Sequence, residues 1–146
     1  QGLLFVLVAP FIGIPMDLQK AVILAGVLFM TAFSLTALGF ALAWRMDSTQ
    51  GFHAVMNLLL FPMWLLSGAV FPTSGASTWV EWIMKINPLA YQVAAVRHIF
   101  YGEGPYLEAE LPSLGPALLV SVAFCVVGFV ASFLVVRATG TSRGGS

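Results

Sequence analysis

The stretch AVILAGVLFMTAFSLTALGFALAW, residues 21–44, decides the fold. It holds no Asp, Glu, Lys or Arg over about 24 positions. As a helix rising 1.5 Å per residue it reaches about 36 Å, enough to cross a hydrocarbon core with tilt to spare. A second uncharged stretch, residues 114–136, ends at Arg137. The whole chain agrees with these two segments. Hydrophobic residues make up 60%, charged residues 8%, and mean hydropathy is +0.97, whereas a soluble domain carries roughly 25% charged residues. Six basic and six acidic side chains among 146 residues cannot clothe an apolar core for water, so the bilayer acts as solvent for much of the chain.

Working outward, residues 3–15 form a shorter apolar stretch, read as the outer end of a partial span. With Gln1 first and no basic leader before the apolar residues, the chain reads as starting partway through a longer protein. Residues 52–71 carry His53 and Asn57 near one end and Pro62 in the middle. They are expected to span with a kink, because Pro62 has no amide hydrogen to donate. Residues 16–20 read as a tight turn, and RMDSTQG, residues 45–51, as a short polar loop anchored by Arg45 at the headgroups. Residues 137–146, rich in Gly and Ser at their end, read as a flexible tail.

The long connection before the last span is neither a span nor a plain linker. Trp79, Trp82, Ile83 and Ile86 follow the i, i+3, i+4, i+7 rule, with Glu81 and Lys85 paired on another face. This predicts a short amphipathic helix in an interface. Asn87 suits both the end of that helix and the N-cap of the next, with Pro88 at its first position and Gly102 as its stop. The second helix sets Leu89, Val93, Val96 and Phe100 on one face. The expected fold is therefore all-α: a polytopic transmembrane helical bundle with an amphipathic, re-entrant helical hairpin over residues 79–101 before the last span. Such a hairpin is tolerated at membrane depth only where protein or water covers its backbone groups.

Orientation is weakly specified. A cytoplasmic tail places residues 45–51 inside and the hairpin outside, but basic residues then divide evenly, with Lys20, Lys85 and Arg97 outside. Asp17, Glu81, Glu103, Glu108 and Glu110 would all lie outside, which contributes little.

Net charge is zero and pI ≈ 6.9, so no basic field for nucleic acid is present. The single cysteine, Cys125, has no partner in the chain for a disulfide. Neither HExxH nor GxxxxGK[ST] occurs, so no catalytic, metal or cofactor-binding residue is assigned and no cofactor is expected. Ser67-Gly68 has the look of an intramembrane serine nucleophile, but such a serine needs a base, and His53 on the same helix is roughly 20 Å away. Helix packing or a local bend is the better reading. Arg97 reads as a snorkelling interfacial arginine, and Trp79, Trp82 and Tyr91 as belt anchors. Ala117, Ser121, Cys125, Gly128 and Ser132 form a small-residue stripe at spacings that let helices approach closely. Ala37 with Ala41 does the same in residues 21–44.

The complete spans contain no titratable Asp, Glu, Lys or Arg, although ion-coupled transporters place such a group near the midplane. Transport by this segment would therefore draw energy from elsewhere, for example a nucleotide-hydrolysing partner. An ion-coupled secondary transporter or channel, with its coupling residue upstream, is the alternative.

The order of features resembles the type-2 ABC exporter permeases, the membrane subunits related to drug-resistance and polysaccharide or lipo-oligosaccharide exporters. The resemblance covers roughly residues 21–136. It rests on Pro62, Ser67, Gly68 and Pro72 in a P-x(4)-SG-x(3)-P pattern, and on Asn87, Pro88, Leu89, Tyr91 and Arg97 in an NPL-x-Y-x(5)-R pattern. It implies six spans, a multi-pass subunit of the inner (plasma) membrane, and a dimer of two permease copies over separate ABC ATPase subunits, with substrate passing between the copies. It also implies that residues 45–51 face the ATPase, where Arg45, Asp47 and Gln50 would contribute.

Overall fold

The computed structural model describes residues 1–70, 77–102 and 112–143, with side chains through residue 138. Pro72, Phe71, Glu103, Glu108, Glu110 and the last three residues of the tail lie outside the described residues. The described residues form six α-helices and one 3-10 turn, with no strand.

Helix α1 (Gly2–Val8) runs into the 3-10 turn Ala9–Ile12, where Pro10 occupies an early position and Gly13, at φ 85°, ends the run. The first apolar stretch is thus broken by its own proline and glycine. Helix α2 (Leu18–Ala43) starts on Asp17, whose carboxylate accepts a 2.7 Å hydrogen bond from the Lys20 amide. The expected turn over residues 16–20 is therefore already helical from Leu18. Its cause is an ordinary N-cap, which satisfies one of the amides that the first turn leaves free.

Helix α3 (Thr49–Leu65) is capped by Ser48, which accepts from the Gly51 amide at 3.1 Å. The polar loop is accordingly shorter than residues 45–51, and Gln50 belongs to the first turn of α3. The helix also stops at Leu65, short of the apolar stretch that continues to residue 71. Its 17 residues reach about 26 Å. Helix α4 (Thr78–Ile86) and helix α5 (Pro88–Tyr101) meet at Asn87, and Gly102, at φ 64°, ends α5. Helix α6 (Leu114–Arg143) continues past the apolar stretch, so residues 137–143 are helical.

Two of these helices, Leu18–Ala43 and Leu114–Ala138, are long and apolar enough to cross a membrane. Only 22% and 11% of their most apolar windows are buried, which no core helix of a soluble protein would show. Phe29, Leu119, Val127 and Leu134 stand out from the bundle, more than half exposed. The fold is a helical membrane bundle whose outer surface is solvated by hydrocarbon.

Against that medium, helix association depends on close packing rather than on hiding apolar surface from water. The small-residue stripe of α6 does this against α2. A Cβ on Gly128 would sit 3.3 Å from both the Ala37 Cβ and the Ser34 carbonyl oxygen. Ser132 Oγ reaches the Ala37 carbonyl at 2.8 Å. Ala117 and Ser121 are fully buried. Helix α5 packs into the same bundle through Ala94, Ala95 and Ile99, which join Leu24, Val27 and Ala117 in the core. The packed face of α5 is thus its alanine side, because only small residues let three helices approach this closely. Val93, Val96 and Phe100 remain half-buried on an adjoining face.

A large residue at Gly128 should separate α2 from α6. Gly128→Leu is expected to lower stability by about 1–3 kcal/mol through overpacking, read as a drop in the thermal unfolding midpoint in detergent. Gly26→Leu, where a Cβ meets nothing within 4 Å, is the control and should shift the midpoint far less.

Candidate functional site

The last turn of α3 sets a problem that the rest of the site solves. A helix end leaves its final carbonyls without intrahelical donors, and Pro62 has already removed one amide from the ladder. Locally, the Leu66 amide returns to the Pro62 carbonyl at 2.9 Å and the Ser67 amide to that of Trp64 at 3.2 Å. The Ser67 hydroxyl donates to the Trp64 carbonyl at 2.6 Å and accepts from the Ala69 amide at 3.3 Å. Gly68 then turns the chain at φ 80°, a conformation that side chains with a Cβ resist. Ser67 and Gly68 are both buried.

Two further carbonyls are met from the hairpin. Asn87 Nδ2 donates to the Met63 carbonyl at 2.7 Å and to the Leu66 carbonyl at 3.1 Å. The same side chain accepts, through Oδ1, from the Leu89 amide at 3.1 Å and so caps α5. Asn87 is only 5% exposed. Ten residues along, an Arg97 guanidinium nitrogen donates to the Gly68 carbonyl at 2.7 Å. Tyr91 Oη donates to the Lys85 carbonyl at 2.8 Å, tying α5 back to the end of α4. Asn cannot be replaced here by a residue that only accepts or only donates, since it does both at once.

The two sequence patterns therefore meet in space. Ser67, Gly68, Asn87, Pro88, Tyr91 and Arg97 form one clasp, while Pro62 sits exposed on α3 just before it. Arg97 turns onto the chain's own backbone rather than simply snorkelling outward. Lys85 lies over the Trp82 ring at 5.8 Å, and Trp79, Trp82 and Ile86 are exposed along α4.

Gln92 was not singled out by sequence, where an amide on a short amphipathic helix reads as part of its polar side. It is 2% exposed, and its Nε2 lies 3.4 Å from Ser34 Oγ, while its Oε1 is buried with no hydrogen-bond partner. Ser34 in turn donates to the Met30 carbonyl at 2.6 Å. A cavity of about 450 Å³ lies on this side of α5, lined by Leu28 and Thr31 of α2, Ala69, and Gln92, Val93 and Arg97. Residues 28, 31 and 34 fall near the middle of α2, so the hairpin reaches to that level.

Other candidates lie apart. The Ser67 hydroxyl is committed to backbone groups, and His98 Nε2 lies 2.9 Å from the carbonyl of Pro112, two residues before α6. Arg45, Asp47 and Gln50 are exposed at the opposite end of α2 and the start of α3, away from the clasp. Among the described residues, no group of three or more His, Cys, Asp and Glu is placed to hold a metal ion.

A sequence model of the family described as ABC-2 type transporter matches residues 1–101. The chain is also 25% identical over 138 residues to "Putative transport permease ycf38" of Cyanophora paradoxa, a match covering 89% of this chain and 48% of that protein. The chain thus spans about half the length of that relative.

Loss of the Asn87 amide should loosen α3 from the hairpin. Asn87→Ala removes two donated bonds and one cap, at about 1 kcal/mol for each bond and a similar cost for the cap. It is expected to destabilise the protein by about 2–4 kcal/mol, measured by thermal unfolding followed by tryptophan fluorescence. Asn87→Asp keeps the cap but sets a carboxylate against two carbonyls, so it should be no better than Ala.

Proposed function

We propose, since this chain belongs to the ABC-2 type transporter family, that it is the membrane subunit of an ATP-driven exporter, with ATP hydrolysed on a separate subunit. The observation that carries this reading is the lack of any charged side chain in residues 21–44 and 114–136, the stretches forming the crossing parts of α2 and α6. They hold no carboxylate or amine of the kind on which ion-coupled transporters carry a proton or a coupling cation. Arg97 lies outside these stretches, on α5, and donates to the Gly68 carbonyl. In this reading energy enters through a partner.

Two copies form the pathway in this reading, and α3 supports it. None of its residues is buried, and Leu58, Phe61 and Trp64 stand half or more exposed, leaving a face for a second copy. On the same reading α3 is a further crossing element of a multi-pass inner-membrane protein. Arg45 and Asp47, exposed between α2 and α3, and Gln50, exposed in the first turn of α3, form the surface that meets the ATPase. ATP binding would bias one of two packed arrangements of helices, with α3 bending at Pro62 and carrying the hairpin it is clasped to. A drug, a lipid and a glycan all remain open as cargo.

Reconstituting the intact protein with its ATPase should give export that requires ATP hydrolysis. Transport driven by an ion gradient without nucleotide would defeat the proposal. Reversing the charges at Arg45 and Asp47 is expected to lower transport-coupled ATPase activity several-fold while leaving the unfolding midpoint of the permease unchanged.

A further inference from the structure

Helix α3 turns its polar side away from its own bundle. Gln50, His53, Asn57, Phe61 and Trp64, at spacings of three and four, lie along one face, and all of them are exposed. The opposite side carries Phe52, Val55, Met56 and Met63, all half-buried. There the Met56 methyl comes within 3.3 Å of a Cβ placed on Gly39 of α2. Every side-chain amide and imidazole of the helix is therefore on its outer face. A helix bordered by hydrocarbon shows the reverse, since polar side chains within a membrane point into the bundle or toward water. Asn57 is the sharpest case. It is the central residue of Thr49–Leu65, about 12 Å from either end of the helix, and its short side chain cannot reach the headgroups.

We propose that a second copy of the chain covers this face, with the two Asn57 side chains hydrogen-bonded to each other at the centre of the contact. Copies inserted the same way round are related by a two-fold axis along the membrane normal, so each residue meets residues of its own depth. Such a contact needs side chains that can pair with their own kind. A carboxylate or an ammonium cannot, but an amide donates through its nitrogen and accepts through its oxygen at once. Asn57 thus gives a reciprocal pair of bonds across the axis, of the kind that holds membrane helices together. Gln50, another amide, lies two turns nearer the loop on the same stripe. Phe61 and Trp64, 57% and 50% exposed, extend the stripe the other way, and their rings favour a protein neighbour over a column of water. The inference rests on the reading of α3 as a crossing helix that meets a second copy, and adds the residue that joins the copies and the depth at which it does so.

The test uses the intact protein in liposomes, with Cys125 and any other cysteine replaced by alanine. Under copper phenanthroline, Asn57→Cys should form a disulfide-linked dimer, whereas Val55→Cys, at nearly the same depth on the opposite side of α3, should not. Asn57→Leu should fold, because Asn57 is exposed in the single chain. It is expected to weaken dimerisation about tenfold, the worth of a reciprocal pair of interhelical amide bonds, read by energy transfer between labelled copies as lipid is added. Asn57→Gln, which keeps the amide, should retain most of the affinity. Labelling of Asn57→Cys by a membrane-impermeant thiol reagent without any disulfide would mean that water covers the face, and would overturn the proposal. Dimers that persist undiminished in Asn57→Leu, with no cross-link at position 57, would sink this contact and leave the two-copy reading standing. A native protein that stays monomeric would sink both. A cross-link at position 57 in a protein whose transport needs no nucleotide would leave this contact in place and sink ATP-driven export.

Discussion

Everything about the hairpin depends on how the backbone at the end of α3 finds its hydrogen bonds. In water a frayed helix end is cheap, because solvent takes the carbonyls. Beside hydrocarbon each unmet group costs several kcal/mol, so the chain can leave helical geometry only where protein supplies the partners. Asn87 supplies two and Arg97 a third, while Ser67 serves its own turn. The break after Leu65 and the hairpin are therefore one structure. Neither is sustainable at that level without the other.

The second constraint is distance of approach. Hydrocarbon gives apolar side chains no reason to prefer one another, so α2, α5 and α6 are held by contact between small residues. Gly128 against Ala37, and Ala94 and Ala95 in the core, bring backbones close enough for Ser132 to reach a carbonyl on the neighbouring helix. Bulky side chains are then displaced outward, into lipid on α2 and α6 and into the cavity wall on α5. The cavity follows from this arrangement, since Val93 and Phe100 cannot share the tight seam that the alanines occupy.

Much of the architecture was legible in the sequence. Long uncharged runs announce crossing helices by length alone, and the Trp-Trp-Ile-Ile spacing followed by Asn-Pro marks two short helices and their joint. The end of α3 was harder. Leu66, Ala69 and Val70 continue the apolar run past Leu65, and the stop lies in Ser67-Gly68, a weak signal that matters only because distant side chains complete it. The clasp itself was invisible as geometry. Asn87 binds carbonyls 21 and 24 residues away, and every residue type offers a carbonyl. Gln92 was missed for a related reason, since a glutamine on a short amphipathic helix looks solvated until the fold encloses it.

Because the clasp grips main-chain oxygens, it is indifferent to what side chains Met63 and Leu66 carry. Those positions can drift, exchanging one lipid-compatible residue for another, without loosening the joint. Asn87 and Arg97 have no such latitude, and Gly68 is held by its φ of 80°. The outer surface of α3 can thus be reshaped to suit a new neighbour while its anchorage to the hairpin is inherited intact.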